Sequence, residues 1–151
     1  MGAALLVSGL MAVGTVIIHM LGLMVLMGFM RARSDHLHPS RSPFRQSVFI
    51  LMVVLGLFLI HAIEMLAYAA LYYGLGEFLT FEEALYFSVS TFTTLGMGDI
   101  YIESQWRLVA AIEGFNGFLL IGWSTAFLVT VIGRLRAIEF DWLDRLGDGE
   151  D

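Results

Sequence analysis

Residues 93–99 read Thr-Thr-Leu-Gly-Met-Gly-Asp and combine residue types suited to holding a bare cation. Gly96 and Gly98 alternate with larger residues, and glycine tolerates the positive φ that lets successive backbone carbonyls point the same way. Such a column of oxygens replaces the water around a cation, and the Thr94 hydroxyl adds a side-chain ligand at its inner end. The spacing predicts cation ligands at Thr94, Leu95, Gly96, Met97 and Gly98.

Ionisable side chains within apolar segments form a second candidate site. His61 and Glu64 are three residues apart, so a helix places them on one face. Glu113 lies in another apolar segment, with Asn116 beside it. Charges in a membrane interior cost ~3 kcal/mol or more, so by default they mark function. These residues predict a buried hydrogen-bond network or, because histidine titrates near neutral pH, a proton-sensitive gate. A metal site formed by His61, Glu64 and Glu113 is a third alternative.

The composition indicates where such sites must operate. Of the 151 residues, 58% are hydrophobic and 15% are charged, whereas a soluble domain is about half apolar and a quarter charged. This balance excludes a soluble enzyme, a disordered chain and a nucleic-acid binder, and the net charge of −6 would also repel phosphates. The chain has no cysteine, so it has no thiolate metal ligand. We expect an integral membrane protein that is not an enzyme and needs no cofactor.

Three apolar segments are long enough to cross a bilayer, which takes about 20 helical residues. They cover residues 3–30, 47–74 and 106–133. Arginines concentrate in the link after the first segment and again after the third, while the outer flanks hold only Arg107. By the positive-inside rule we expect a multi-pass protein of the cell membrane, with the N-terminus outside and the C-terminus cytoplasmic. Ile138, Trp142 and Leu146 predict a short amphipathic helix in the tail.

The first segment carries small and polar residues on one face, which is typical of a helix-packing seam in membranes. They are Ser8, Ala12, Thr15, His19 and Gly22. We expect His19 to be a packed histidine and this helix to pack outside the second one. The segment has no arginine ladder, so a voltage sensor is excluded.

Residues 76–103, between the second and third segments, are too polar and too rich in glycine for another span. Thr80 and Glu83 fit a capping box, in which each side chain bonds to the other residue's backbone amide. The apolar helix that follows has about 12 residues and a length of about 18 Å, too short to cross. It is predicted to be re-entrant, with its negative C-terminal end facing the cation.

Residues 84–99, Ala-Leu-Tyr-Phe-Ser-Val-Ser-Thr-Phe-Thr-Thr-Leu-Gly-Met-Gly-Asp, resemble the pore helix and filter of the potassium-channel family. The usual filter of that family reads T-x-G-Y-G-D or T-x-G-F-G-D. The resemblance spans residues 47–135 and implies an outer helix, a pore helix, a filter and an inner helix, with four subunits around one pore. It implies potassium ions as permeant ligands, a homotetramer in membrane lipid, and no nucleic-acid partner.

The resemblance also implies roles for single residues. Gly117 and Gly122 fall where the inner helix would bend as a gate or hinge. Support for the filter would come from Ser90, Thr93, Asp99, Tyr86 and Phe87. Three departures stand out: Met97 replaces the filter aromatic and cannot donate a hydrogen bond, Tyr86 and Phe87 replace the usual tryptophans, and Ser90 stands where some channels carry an acid.

The sequence therefore predicts an all-α membrane protein with three transmembrane helices, a re-entrant pore helix with its filter loop, and a tetrameric pore. The expected divisions are an extra helix and cytoplasmic link (1–46), an ion-channel pore domain (47–134) and a short cytoplasmic tail (135–151). Three alternatives to a potassium channel stay open. The first is a weakly selective or non-selective monovalent cation channel, because of Met97. The others are a proton-coupled carrier or membrane enzyme using His61, Glu64 and Glu113, and an accessory subunit.

Overall fold

The computed structural model describes the backbone of residues 1–37, 43–102 and 105–147. Side chains are described for residues 1–32, 44–102 and 105–135. Over these ranges the regular secondary structure is entirely α-helical, joined by loops, and contains no β-strand. The elements are α1 (Gly2–Leu37), α2 (Pro43–Gly74), α3 (Phe81–Phe92) and α4 (Arg107–Gly147). The prediction of an all-α fold is confirmed.

Three of these helices are long and apolar enough to cross a membrane. The spans are Gly2–Ala32 of α1, Phe44–Gly74 of α2 and Arg107–Leu135 of α4. This agrees with the three spans predicted from sequence. Helix α2 begins at Pro43, and proline fits the first helical turn. The link between α1 and α2, residues 38–42, lies outside the described residues.

The C-terminal tail contains the predicted helix, which is continuous with the third span. Ile138, Trp142 and Leu146 indicated a short amphipathic helix, and α4 continues without a break to Gly147. A helix whose apolar face ends can continue through residues of good helix propensity, and arginine, leucine, alanine and glutamate all occur in this stretch. The start of the predicted tail at residue 135 therefore lies inside α4.

The short helix α3 begins as the sequence predicted. Thr80 Oγ1 accepts a hydrogen bond from the Glu83 amide at 3.2 Å, and the Thr80 amide donates to Glu83 Oε2 at 3.2 Å. This reciprocal pair is the predicted capping box, and it is confirmed. The helix has 12 residues, so it is much shorter than the bilayer core.

Helix α1 packs against both α2 and α4, not only outside α2 as expected. The predicted seam faces inward, since Ser8, Thr15 and His19 are all buried. Asn116 of α4 donates a hydrogen bond to Thr15 of α1, with a distance of 2.7 Å from Nδ2 to Oγ1. Polar groups inside a membrane protein join helices in this way, because lipid offers them no partner.

Glycine allows α1 and α2 to approach closely. A Cβ on Gly22 would lie 2.7 Å from Ile60 Cγ1, and a Cβ on Gly56 would lie 2.6 Å from Leu26 Cδ1. These positions lie on opposite helices of the same contact, so each helix offers a glycine to a branched side chain of the other. This arrangement is typical of helix packing in membranes, which relies on close van der Waals contact.

Two apolar clusters fill the interior. One holds most of the buried aromatic residues and packs α3 against α2 and α4: Tyr68, Tyr72, Phe78, Phe87 and Phe92. The other joins α1 and α2 to α4 nearer the predicted cytoplasmic side: Leu23, Leu26, Phe49, Val53, Leu57, Ile60 and Val131. Along α1 and α2, the buried residues His19 and Glu64 lie between these clusters. The polar groups thus form a layer between two apolar regions.

Candidate cation site and buried polar networks

The loop after α3 has an alternating backbone. Thr94 has φ 59°, Gly96 has φ 59° and Gly98 has φ 76°, while Leu95 and Met97 between them do not have positive φ. This alternation turns successive peptide planes the same way, whereas an extended strand would point its carbonyls to opposite sides. The two glycines adopt positive φ at little cost, but Thr94 holds it at an energetic cost for a β-branched residue.

Ser90 of α3 anchors this loop. Its carbonyl oxygen accepts hydrogen bonds from the amides of Leu95 at 2.9 Å and Gly96 at 3.1 Å. Its hydroxyl accepts a hydrogen bond from the Met97 amide at 3.1 Å. Ser90 therefore holds three successive amides of the loop. Its hydrogen bonds do not involve the carbonyl groups of these residues.

The two aromatic residues predicted to stand behind the loop differ in their placement. Tyr86 donates a hydrogen bond to Asp99 Oδ2 at 3.0 Å, and this bond raises the pKa of the Tyr86 hydroxyl above its ordinary value. Phe87 instead packs in the apolar core, with its ring edge-on to Tyr72 at a centroid distance of 5.2 Å. Tyr86 thus ties the C-terminal end of the loop to α3, while Phe87 ties α3 to α2.

Helix α4 approaches the C-terminal end of α3 at two glycines. A Cβ on Gly117 would overlap the carbonyl oxygen of Phe92, and a Cβ on Gly114 would lie 3.3 Å from the Thr91 carbonyl oxygen. Gly122 has open space around it. Gly117 is therefore required for packing, whereas the hinge role of Gly117 and Gly122 stays a prediction. Beside this contact, Thr93 donates its hydroxyl to the Val89 carbonyl at 2.6 Å.

One buried network joins α2, α3 and α4 around Glu113. Glu113 Oε2 accepts a hydrogen bond from the Tyr72 hydroxyl at 2.5 Å, and Oε1 accepts one from the Ser88 hydroxyl at 2.6 Å. The Ser88 oxygen also lies 3.0 Å from the Met65 carbonyl. The carboxylate is completely buried, so these hydrogen bonds replace the water it would otherwise bind.

A second network joins α1, α2 and α4 around Glu64. Its Oε1 lies 2.9 Å from Nδ1 of His19, and its Oε2 lies 2.8 Å from Nδ1 of His61. Nε2 of His61 lies 2.9 Å from the Ser124 hydroxyl of α4. His19 and Glu64 are completely buried, and the His61 side chain is 15% exposed.

The sequence grouped His61, Glu64, Glu113 and Asn116 together, and the structure divides them. Glu113 belongs to a network of its own, and Asn116 bonds to Thr15, with the Tyr68 hydroxyl 3.4 Å from its Nδ2. The proposed metal site from His61, Glu64 and Glu113 is wrong in its third member, because Glu113 bonds toward α3 instead. His19 takes that place, since its ligand atom and those of His61 and Glu64 all lie within 4.8 Å of one another.

Among the partners in these networks, Ser88 was missed from sequence. Tyr68 and Tyr72 lie on the helix face of His61 and Glu64, and Ser124 lies on the face of Glu113, but this spacing does not say which group each hydroxyl bonds. His19 was recognised within a polar stripe, and that stripe was the available sign that α1 meets polar groups on its neighbours. Only the packing of the helices shows which neighbours this polar face of α1 contacts.

An all-helical chain with three membrane-length helices and a short capped helix leading into a glycine loop is a multi-pass membrane protein. Residues 48–134 match the model of a protein family described as "Ion channel". This match covers more than half of the chain, which therefore belongs to that ion-channel family. It confirms the resemblance to potassium-channel pore domains found in the sequence. No solved structure matches the chain.

Proposed function

We propose that the chain forms a homotetrameric potassium channel that conducts passively through the loop after α3. Potassium exchanges its water for the backbone oxygens of this loop, and ions at neighbouring sites repel and displace one another. The ligands are the residues predicted from sequence: Thr94, Leu95, Gly96, Met97 and Gly98. The protein performs no chemistry on the ion, which is its cargo.

The alternating φ of Thr94, Gly96 and Gly98 is the observation that carries this proposal. A loop that only capped a helix bundle would not need a β-branched threonine in the left-handed region. The strain is compatible with stability because Ser90 holds the amides of the loop. Strained backbone of this kind is typical of functional sites, where the surrounding structure imposes it.

The exposure of the loop supports assembly around an axis. Residues 93–99 are all exposed in the single chain, and the Leu95 and Met97 side chains are 62% and 61% exposed. Non-helical backbone at membrane depth must be covered by protein or line a wet cavity. One chain leaves this loop uncovered, so further copies must enclose it. The proposed number of copies, four, is taken from the resemblance to the potassium-channel family.

A groove beside the loop supports the same arrangement. It has a volume of about 370 Å3 and lies between the loop and α4. Its walls include Thr94, Gly96, Ala111 and Gly114, all small side chains that allow close approach of another helix. The neighbouring subunit of the tetramer is the proposed occupant of this groove.

A weakly selective cation channel is the second candidate, and Met97 favours it. Met97 has no side-chain donor, and the structure fixes it only by its backbone amide on Ser90. The carbonyl ligands survive this replacement, whereas the stiffness of the wall behind them decreases. A proton-coupled carrier using the Glu64 network, and an accessory subunit, are the remaining candidates.

Ion flux through the purified full-length protein in liposomes tests these candidates. Vesicles carry potassium inside and sodium outside, and the reversal potential reports the permeability ratio. We expect potassium-selective flux that barium blocks. Equal potassium and sodium permeability would support the weakly selective channel. No flux at neutral pH and at about pH 5 would reject both channel proposals, the lower value lying well below the ordinary pKa of histidine.

Matched variants assign the flux to the loop. Gly96→Ala places a Cβ where φ is 59°, which L side chains rarely adopt, so it adds backbone strain to the loop and should reduce conduction. Gly14→Ala has open space around it and is the control.

Replacement of His61 and Glu64 separates a channel from a carrier. A channel should keep conducting with altered gating, whereas a carrier would lose all transport. Cross-linking in the same vesicles should give products of up to four chains. A largest product of two chains would reject the tetramer.

A further inference from the structure

The buried layer around Glu64 contains two histidines and one carboxylate from two different helices. Nδ1 of His19 faces one carboxylate oxygen at 2.9 Å, and Nδ1 of His61 faces the other at 2.8 Å. In the part of the chain that the structure describes, this is the one group of three such side chains close enough to share a metal ion. The ion pathway proposed above uses none of them.

We propose that His19, His61 and Glu64 form a binding site for a divalent transition-metal ion of the zinc class. Two imidazole nitrogens and one carboxylate oxygen suit zinc, nickel, copper or iron, whereas magnesium and calcium prefer oxygen ligands alone. Three protein ligands leave a fourth position for water or hydroxide. A dication bound to one carboxylate and one hydroxide is neutral overall, which suits an apolar interior.

The distances fit such an ion after small side-chain rotations. Zinc bonds of about 2.0–2.1 Å in tetrahedral geometry place neighbouring ligand atoms about 3.3 Å apart. The two nitrogen–oxygen distances at Glu64 are 2.9 and 2.8 Å, and the ligand atoms of all three residues lie within 4.8 Å. The backbone of α1 and α2 needs no rearrangement, because the packing of Gly22 on Ile60 already holds the helices together.

The second nitrogen of His61 is held as in many metal sites. A histidine that binds a metal usually hydrogen-bonds through its other ring nitrogen, which fixes the orientation of the ring. Nε2 of His61 lies 2.9 Å from the Ser124 hydroxyl, so Nδ1 is the nitrogen left for the ion. Ser124 is on α4, and the site therefore links all three long helices.

The ion has a route to the cluster. His61 lines a cavity of about 370 Å3, whose other walls are mostly apolar, with Thr93, Ser124 and Thr125 as the polar residues among them. The His61 side chain is 15% exposed, and this cavity is where it becomes accessible. An ion arriving along this cavity meets His61 first and then the buried Glu64.

Among the buried side-chain nitrogens and oxygens of the described residues, Nε2 of His19 is the one without a hydrogen-bond partner. Its ring is tilted against Trp123 at a centroid distance of 5.2 Å. A metal bound at Nδ1 leaves this nitrogen protonated and without a partner, so the proposed site rests on the three ligand atoms and not on Nε2.

Cobalt binding to the purified full-length protein in lipid nanodiscs tests the proposal without any ion flux. The background is the double variant H36Q/H38Q, because these two histidines of the link are competing metal ligands. After metal removal, Co2+ is titrated while its d–d absorption is recorded, and Zn2+ is then added as competitor. We expect one Co2+ per chain, displaced by Zn2+. Absence of binding in this background would overturn the proposal.

Ligand variants locate the ion. H19Q, H61Q and E64Q should each weaken Co2+ binding more than about tenfold, a loss at least as large as that for residues beside the ligands. E113Q removes a buried carboxylate of the other network and should leave the affinity unchanged. Unchanged affinity in both H19Q and H61Q would contradict the assignment and place the metal elsewhere, for example at the acidic C-terminal tail.

A cysteine variant keeps the test valid if the glutamine variants do not fold. The chain has no cysteine, so H19C introduces a single thiolate. Cobalt bound at residue 19 would then show a thiolate charge-transfer band that nitrogen and oxygen ligands do not give. A cobalt complex of H19C without this band would overturn the role of His19. Because this readout is binding, it succeeds or fails independently of the proposed potassium conduction.

Discussion

Glu113 of α4 accepts a hydrogen bond from Ser88 of α3 across 2.6 Å, completely buried from solvent. This bond fixes the short helix α3 against α4. Tyr72 of α2 donates to the other oxygen of the same carboxylate at 2.5 Å. The Glu113 carboxyl group therefore joins α2, α3 and α4, and it is one of the contacts that position α3 and the loop that follows.

The first prediction concerns this bond. Ser88→Ala should destabilise the folded protein by about 2 kcal/mol, because a hydrogen bond to a completely buried carboxyl group is lost and that group is left partly unsatisfied. The measurement is thermal unfolding of the protein in detergent. Ser8→Ala is the control, because the Ser8 hydroxyl bonds only to the Ala4 carbonyl of its own helix. Equal destabilisation by the two variants would contradict the role of Ser88.

Gly117 provides a second prediction, on packing. Gly117→Ala should lower the free energy of unfolding by about 1–3 kcal/mol or prevent the subunits from assembling. Its Cβ would overlap the Phe92 carbonyl, so the backbone would have to move. Gly122→Ala, on the same helix with open space around it, should be neutral or slightly stabilising. Size-exclusion chromatography and thermal unfolding compare the two. If Gly117→Ala is tolerated as well as Gly122→Ala, the close contact with α3 is not required.

The hydroxyl of Ser90 is expected to control selectivity. Ser90→Ala removes the acceptor of the Met97 amide, and the loss of about 1 kcal/mol corresponds to about fivefold in an equilibrium. We expect the potassium-to-sodium permeability ratio to decrease by up to this factor. Ser90→Thr keeps the hydroxyl and should preserve the ratio. Reversal potentials in liposomes measure both, and equal ratios in the two variants would assign the loop's rigidity to the Ser90 carbonyl alone.

Tyr86 should make the stability of the loop sensitive to alkaline pH. The hydrogen bond to Asp99 raises the pKa of Tyr86, so the folded state favours the neutral phenol. This contribution is present below the ordinary tyrosine pKa of about 10 and is lost as pH rises through the raised value. The unfolding temperature of the native chain should therefore fall as pH rises through the raised pKa of Tyr86. Tyr86→Phe should remove the part of this fall that comes from the Tyr86 hydroxyl. Tyr101→Phe, which removes an exposed phenol, should leave the decrease as it is in the native chain.

The contact between α1 and α2 gives a prediction about helix packing. Gly22→Ala should destabilise by about 1–3 kcal/mol, because the added Cβ lies 2.7 Å from Ile60 Cγ1. Adding Ile60→Ala should relieve the overlap, so the double variant should be more stable than the sum of the single effects. Gly14→Ala, which has open space around it, is the control. Additive effects in the double-mutant cycle would mean that the two residues are not in contact.

Much of the fold follows from local patterns in the sequence. Segment lengths identified the three membrane helices, because bilayer thickness sets the number of residues required. The capping box at Thr80 and Glu83 located the start of α3, since both partners lie within one turn. The glycines at 96 and 98 predicted a loop with positive φ, and the structure adds Thr94 as a third position.

The full length of α4 was harder to predict. The third apolar segment and the helix of the tail were predicted separately, whereas α4 runs through both to Gly147. Hydrophobicity reports where a helix leaves the membrane, but the backbone hydrogen bonds that continue it do not depend on that boundary. The role of each loop residue as an ion ligand stays a prediction, because it depends on the copies that surround the pore.

The sequence by itself determined the class of protein, the three spans, the start of the short helix and the glycine positions of the loop. Each of these depends on residues within a few turns of one another. Only the tertiary structure decided that Glu64 meets His19 and His61, while Glu113 meets Ser88. Such pairings depend on the relative depth and rotation of separate helices. These are set by the packing of many side chains, and no local spacing encodes them.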